Sequence, residues 1–149
     1  MQTQTTQSKH IADIIQVMQG GIEFYQEAKD KLQGARYQAF FNRMIDAKRE
    51  AVDDLQPFAI AEQGYAELDT DNLVKARQTY TKLMAKLSDN KAFTYVDQLE
   101  EVEDKVLDEV DTALEKPQPQ SCEVTLQRVK VRMKECHDEM KALQTAEQH

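Results

Sequence analysis

Along most of this chain apolar residues return every three or four positions, and long stretches pass without a residue that would break a helix. Ile11, Ile14, Ile15, Met18, Ile22, Tyr25 and Leu32 form one such stripe, and Tyr37, Phe41, Met44, Ile45, Val52 and Leu55 form a second. A 3.6-residue period of this kind is the signature of amphipathic helices, not of strands, which would need strict alternation. Four glycines and three prolines in 149 residues are too few for the turns of a sheet, sandwich or βαβ fold. The chain is therefore expected to be all-α.

Five helical segments follow from the pattern. Residues 1–8 are polar and aperiodic and read as a flexible tail, with Ser8 as the cap of a first helix that ends near Gln33-Gly34. A second helix carries the aromatic stripe and holds Pro57, whose missing N–H should kink or shorten it. A shorter helix over 71–87 is capped within Asp69-Thr70-Asp71, with Leu73, Ala76, Tyr80, Leu83, Met84 and Leu87 expected on its inner face. Ser88-Asp89 should cap a long helix with Val96, Leu99, Val102, Val106 and Val110 inward, stopped by Pro117 and Pro119. The last helix, from about 120 to the high 140s, turns Leu126, Val129, Met133, Cys136, Met140 and Leu143 inward. Val17, Phe24, Val124 and Val131 fall off the main stripes and are expected either to support the short helix or to make a dimer contact.

Two tight turns make the long helices two antiparallel hairpins. The connection 63–87 is long enough to return along the whole bundle, so the second and third long helices should run parallel, with residues 9–149 as one domain.

Twenty-seven acidic and nineteen basic residues leave a net charge of −8, which repels phosphate backbones and anionic surfaces, so neither nucleic acid nor a membrane is the expected partner. The polar start MQTQTTQSKH has no signal-peptide character, and the expected location is cytoplasmic. Cys122 and Cys136 lie about 21 Å apart on one helix and read as reduced thiols. The acidic run Asp97, Glu100, Glu101, Asp104, Asp108, Glu109 and Asp111 reads as a solvated helix back, with docking of a basic partner or collection of weakly held divalent cations as the alternatives.

The runs GIEFYQEA, FFNRMIDAKREAVDDL and LEEVEDKVLDEVDTAL, with the short amphipathic segment between the last two, resemble small bacterial ferritin-like four-helix-bundle proteins of unknown function. The resemblance implies a ferritin-like bundle with a short helical crossover between its second and third long helices, and kinship with di-iron carboxylate proteins. Such a centre takes a Glu from each of two helices and a Glu-x-x-His from each of the other two. By the resemblance Glu103 matches a ligand Glu, whereas Lys48 and Ala51 stand where a Glu-x-x-His belongs.

Helical stepping turns two charged residues inward, Lys48 between Met44 and Val52, and Glu103 between Leu99 and Val106. Parallel helices would bring them within roughly 3 Å of the same level, and a buried ion pair is the expected outcome. Snorkelling to water at a bundle edge is the alternative. Glu23, Glu27, Glu100 and Glu101 read as surface carboxylates. The leading functional expectation is a non-enzymatic bundle without cofactor, a stress-related or interaction module that has exchanged its di-iron site for the Lys48–Glu103 pair, with a homodimer or an unidentified protein as partner. The alternative is a di-iron-type oxidase or iron-handling protein binding iron or manganese through an irregular set, Glu103, His137, Glu100 and Glu50. A small-molecule binder with a central pocket is a third reading, and Cys136 is a candidate reactive thiol.

Overall fold

A computed structural model describes residues 7–148. It contains helices α1 (Ile11–Lys31), α2 (Ala35–Gln63), α3 (Asn72–Leu87), α4 (Lys91–Leu114) and α5 (Gln120–Glu147), and no strand among the described residues. Most of the expected tail, residues 1–6, lies outside the described residues; next to it Gln7 donates to the Glu62 carbonyl at 2.9 Å and Ser8 is buried.

The ends of α1, α2 and α4 differ from the expected caps. Ser8 does not cap α1. The cap position is His10, in the left-handed region with φ 69°, and the free amide of Ile11 is instead satisfied by the Glu62 carboxylate at 2.7 Å. Gly34, expected to close the first helix, opens α2, while α1 ends through Leu32, whose N–H donates to Ala28 O. α2 runs on past Pro57 to Gly64, whose φ of 90° suits glycine and lets its N–H reach Ile60 O at 2.7 Å. α4 is capped by Asn90, accepting from Phe93 N at 2.9 Å, and not by Ser88 or Asp89.

Side-chain pairs along the helices give their directions. Ile11 meets Glu62 at one end of α1 and Lys29 meets Asn42 at the other, so α1 and α2 are antiparallel. His10 with Glu109 and Phe24 with Tyr95 make α1 antiparallel to α4. Gln144 with Asp97 and Lys130 with Asp111 do the same for α4 and α5, and Arg36 with Glu147 and Arg43 with Glu139 for α2 and α5. α2 and α4 therefore run parallel on opposite corners of a four-helix bundle. Only long side chains can meet across that diagonal. Among the described residues no helix is long and apolar enough to cross a membrane.

α3 lies outside the bundle against α1 and α4, and its seating corrects the expected inner face. Val74 and Thr81 are buried, whereas Leu73, Tyr80, Leu83 and Leu87 are each more than half exposed. The reason lies in its neighbours. Gly20 of α1 leaves a hollow for Val74, since a Cβ there would sit 3.0 Å from the valine side chain. Lys82 reaches Glu27 at 2.8 Å and Arg77 pairs with Glu101, while Thr81 satisfies its own hydroxyl on Arg77 O at 2.8 Å. These contacts hold α3 by a mixed face and leave its apolar stripe outward. Of the off-stripe residues, Val17 and Phe24 are in the core and Val124 and Val131 are exposed.

The connection into α3 is pinned as well. Gln56 makes reciprocal bonds with the Glu67 backbone at 2.7 and 2.9 Å, and Gln16 donates to the Glu67 carboxylate at 2.8 Å. Asp71 then caps α3, accepting from Leu73 N and Val74 N at 2.9 and 3.1 Å. Asp71→Ala should destabilise the protein by about 1 kcal/mol, read as a shift of the urea midpoint with an unchanged slope.

Candidate functional site

Two polar clusters hang from α4, one inside the apolar interior and one in a groove at its surface. The inner one joins Lys48 of α2, Glu103 of α4 and Tyr25 of α1. Lys48 and Glu103 are both at 0% exposure, and the Lys48 ammonium pairs directly with Glu103 Oε2. Tyr25 donates its hydroxyl to the same oxygen at 2.5 Å, and its ring centroid stands 5.0 Å from the ammonium, close enough for a cation–π contact. Glu103 Oε1 has no hydrogen-bond partner.

Room for the lysine comes from α1. At Gly21 an added Cβ would lie 3.6 Å from the Lys48 Cδ and Cε, so the aliphatic stem runs along the glycine and the charged end continues across the diagonal. Burial, then the charge and hydrogen bond of Glu103, push the Tyr25 phenol well above the usual tyrosine range. Cys136 is buried nearby on α5; burial pushes its thiol up, the Lys48 charge pulls it back and Glu103 adds to the rise. Such surroundings favour the protonated thiol over the thiolate.

The outer cluster lies where α4 and α5 meet. His137 Nε2 is 2.6 Å from Asp104 Oδ1 and 3.6 Å from Glu100 Oε1. One ligand-type atom from each of these three residues lies within 4.8 Å of those of the other two. Glu100 is a correction to the sequence reading. Its side chain is only 7% exposed, because the α4–α5 contact covers the edge of the helix on which it stands. Glu27 departs from that reading too, with a side chain 10% exposed beneath α3.

Burial, and then the neighbouring Asp104 carboxylate, raise the Glu100 pKa against the pull of Lys141 and His137. Burial acts to lower the His137 pKa, but hydrogen bonds to Asp138 and Asp104 and the charges of Asp104 and Glu100 outweigh it, so the imidazole is raised.

The irregular ligand set Glu103, His137, Glu100 and Glu50 is thus divided. The structure brings Glu100 and His137 together and leaves Glu103 with Lys48; Glu50 is exposed, in a groove between α2 and α5 with Asp54, Arg128 and Arg132. Asp104 completes the outer cluster and comes from the acidic run for which the sequence offers loosely held divalent cations only as an alternative to a solvated face. Its signal was present, since Glu100 and Asp104 are four residues apart and share one face of α4.

Residues 6–116 match the family described as Domain of unknown function (DUF2383). The chain belongs to that family. The match spans α1 to α4, and so holds Tyr25, Lys48, Glu100, Glu103 and Asp104, whereas Cys136 and His137 lie beyond it on α5. No curated protein matches the chain, and no solved structure does.

Proposed function

We propose that the chain is a non-enzymatic ferritin-like four-helix bundle acting as an interaction module, with the Lys48–Glu103 pair standing in place of a di-iron centre. The observation that carries this reading is the fully buried Lys48 ammonium on Glu103 at the middle of the bundle. Two iron ions need several carboxylates and imidazoles around them. The residues here do not fit that demand. At this level α2 supplies a cation and Ala51, α1 supplies Gly21, and α5 turns in Met133, Cys136 and Met140, so Glu103 is the one carboxylate among them. The parallel course of α2 and α4, with a helical crossover between them, supports the ferritin-like assignment.

The interaction half of the reading rests on α3. Its outward Leu73, Tyr80, Leu83 and Leu87 are accompanied by Lys75 and Lys86, while Arg77 and Lys82 are held by Glu101 and Glu27, and the helix has no carboxylate, on a chain of net charge −8. Such a face suits an acidic amphipathic helix of a partner protein, which would bury the stripe and meet the basic side chains. A second copy docking α3 on α3 would set lysines beside lysines. Two free, buried cysteines agree with a reducing cytoplasm.

Aerobic loading with ferrous iron tests the central claim. The expected result is no iron oxidation above the buffer rate and no two-iron stoichiometry, in the wild type and in Lys48→Met alike. Two irons per chain would overturn it. Light scattering tests the choice of partner: the chain should be monomeric, and a dimer dispersed by Leu83→Asp would assign the stripe to a second copy instead.

A further inference from the structure

We propose that Glu100, Asp104 and His137 form a binding site for a single divalent transition-metal cation of the zinc class, in the groove between α4 and α5 and apart from the centre of the bundle. The donors are one imidazole and two carboxylates, a set suited to zinc, cobalt, manganese or ferrous iron. Oxygen and nitrogen ligands 2.0–2.1 Å from a tetrahedral ion stand about 3.3 Å from one another. The spacings of 2.6 and 3.6 Å from His137 Nε2 straddle that value, so an ion needs only small side-chain movements to take the place between them.

Two further observations point to a cation. Glu100 is more than nine-tenths buried, yet neither nearby cationic side chain comes within hydrogen-bond distance of its Oε1: His137 Nε2 is at 3.6 Å and Lys141 Nζ at 3.9 Å. Two carboxylates as close as Glu100 and Asp104, one of them buried, repel each other and are stabilised by a cation held between them. The second is the far side of the imidazole. His137 Nδ1 lies 3.2 Å from Asp138 Oδ1, the outer-shell carboxylate that metal-ligating histidines commonly keep, which fixes the ring with Nε2 toward the cluster. Asp104 is 53% exposed, so the groove is open to solvent and water can complete the coordination. Lys141 is also exposed and can swing away when the ion enters. No part of this site uses Lys48, Tyr25 or Glu103, and the proposal is independent of the reading of the bundle centre.

Bound there, the ion would tie α4 to α5 and displace a proton from His137, so binding should weaken as the pH falls. Isothermal titration of the tag-free chain with zinc chloride is the test, with cobalt absorption as the check on coordination. One ion per chain is expected, together with a saturable rise in the thermal midpoint. His137→Ala and Glu100→Gln should each weaken binding by about tenfold or more, and Asp138→Asn by about tenfold through the outer shell. Lys48→Met and His10→Ala should leave it unchanged. Circular dichroism of each metal-free variant confirms folding before titration. Absence of saturable zinc binding, or binding that survives both His137→Ala and Glu100→Gln, would overturn the proposal.

Discussion

Lys48→Met should lower the unfolding free energy by about 3–5 kcal/mol, because it leaves the Glu103 carboxylate buried with only the Tyr25 hydroxyl to satisfy it. Glu103→Leu should cost a similar amount, now by stranding the ammonium and depriving the phenol of its acceptor. The double variant should recover most of the loss, since two apolar side chains of matching size replace two desolvated charges. Recovery will be incomplete by about 1 kcal/mol or more while the Tyr25 hydroxyl stays unsatisfied, and adding Tyr25→Phe should restore it. Guanidinium unfolding of the four variants and the parent measures this directly. If the two single losses simply add in the double variant, the residues do not interact and the account of the centre fails.

Phe24→Ala should cost about 3–5 kcal/mol, a fall of roughly 10 °C in the thermal midpoint. The ring is fully buried and meets Tyr95 edge-on with centroids 6.4 Å apart, in the layer between α1 and α4. Its removal deletes a large apolar area and opens a cavity that two rigid helices cannot close. Val124→Ala on the exposed side of α5 should change stability by no more than about 0.5 kcal/mol. Both residues lie off the main stripe of their helices, so equal effects would contradict the packing described here.

Periodicity alone was enough to place the helices to within a few residues and to turn Lys48 and Glu103 inward. A charged residue on an apolar stripe stands out in any sequence, and the length of the connection 63–87 was enough to predict parallel α2 and α4 and to set the two charges at one level. The ends of the helices were less legible. Asp71 caps α3 from within the expected run Asp69-Thr70-Asp71, but the amide of Ile11 is satisfied by Glu62, a residue 51 positions away that no local pattern could nominate. Pro57 leaves α2 unbroken because the rest of the helix is buried along the bundle and packing outweighs the loss of one backbone bond.

Which face of α3 is buried was a tertiary decision. The apolar stripe of a helix reports what it could bury, whereas the hollow at Gly20 and the carboxylates of Glu27 and Glu101 belong to other helices, and together they seat α3 on Val74 and Thr81. The outer cluster has the same origin. Sequence determined that Glu100 and Asp104 share a face of α4, because four residues are one helical turn. Only the antiparallel docking of α5 brings His137 to within 2.6 Å of Asp104 and shields Glu100 from water. Spacing along a helix is set by backbone hydrogen bonds and can be counted in the chain, while burial and approach between helices depend on the side chains of every neighbour at once.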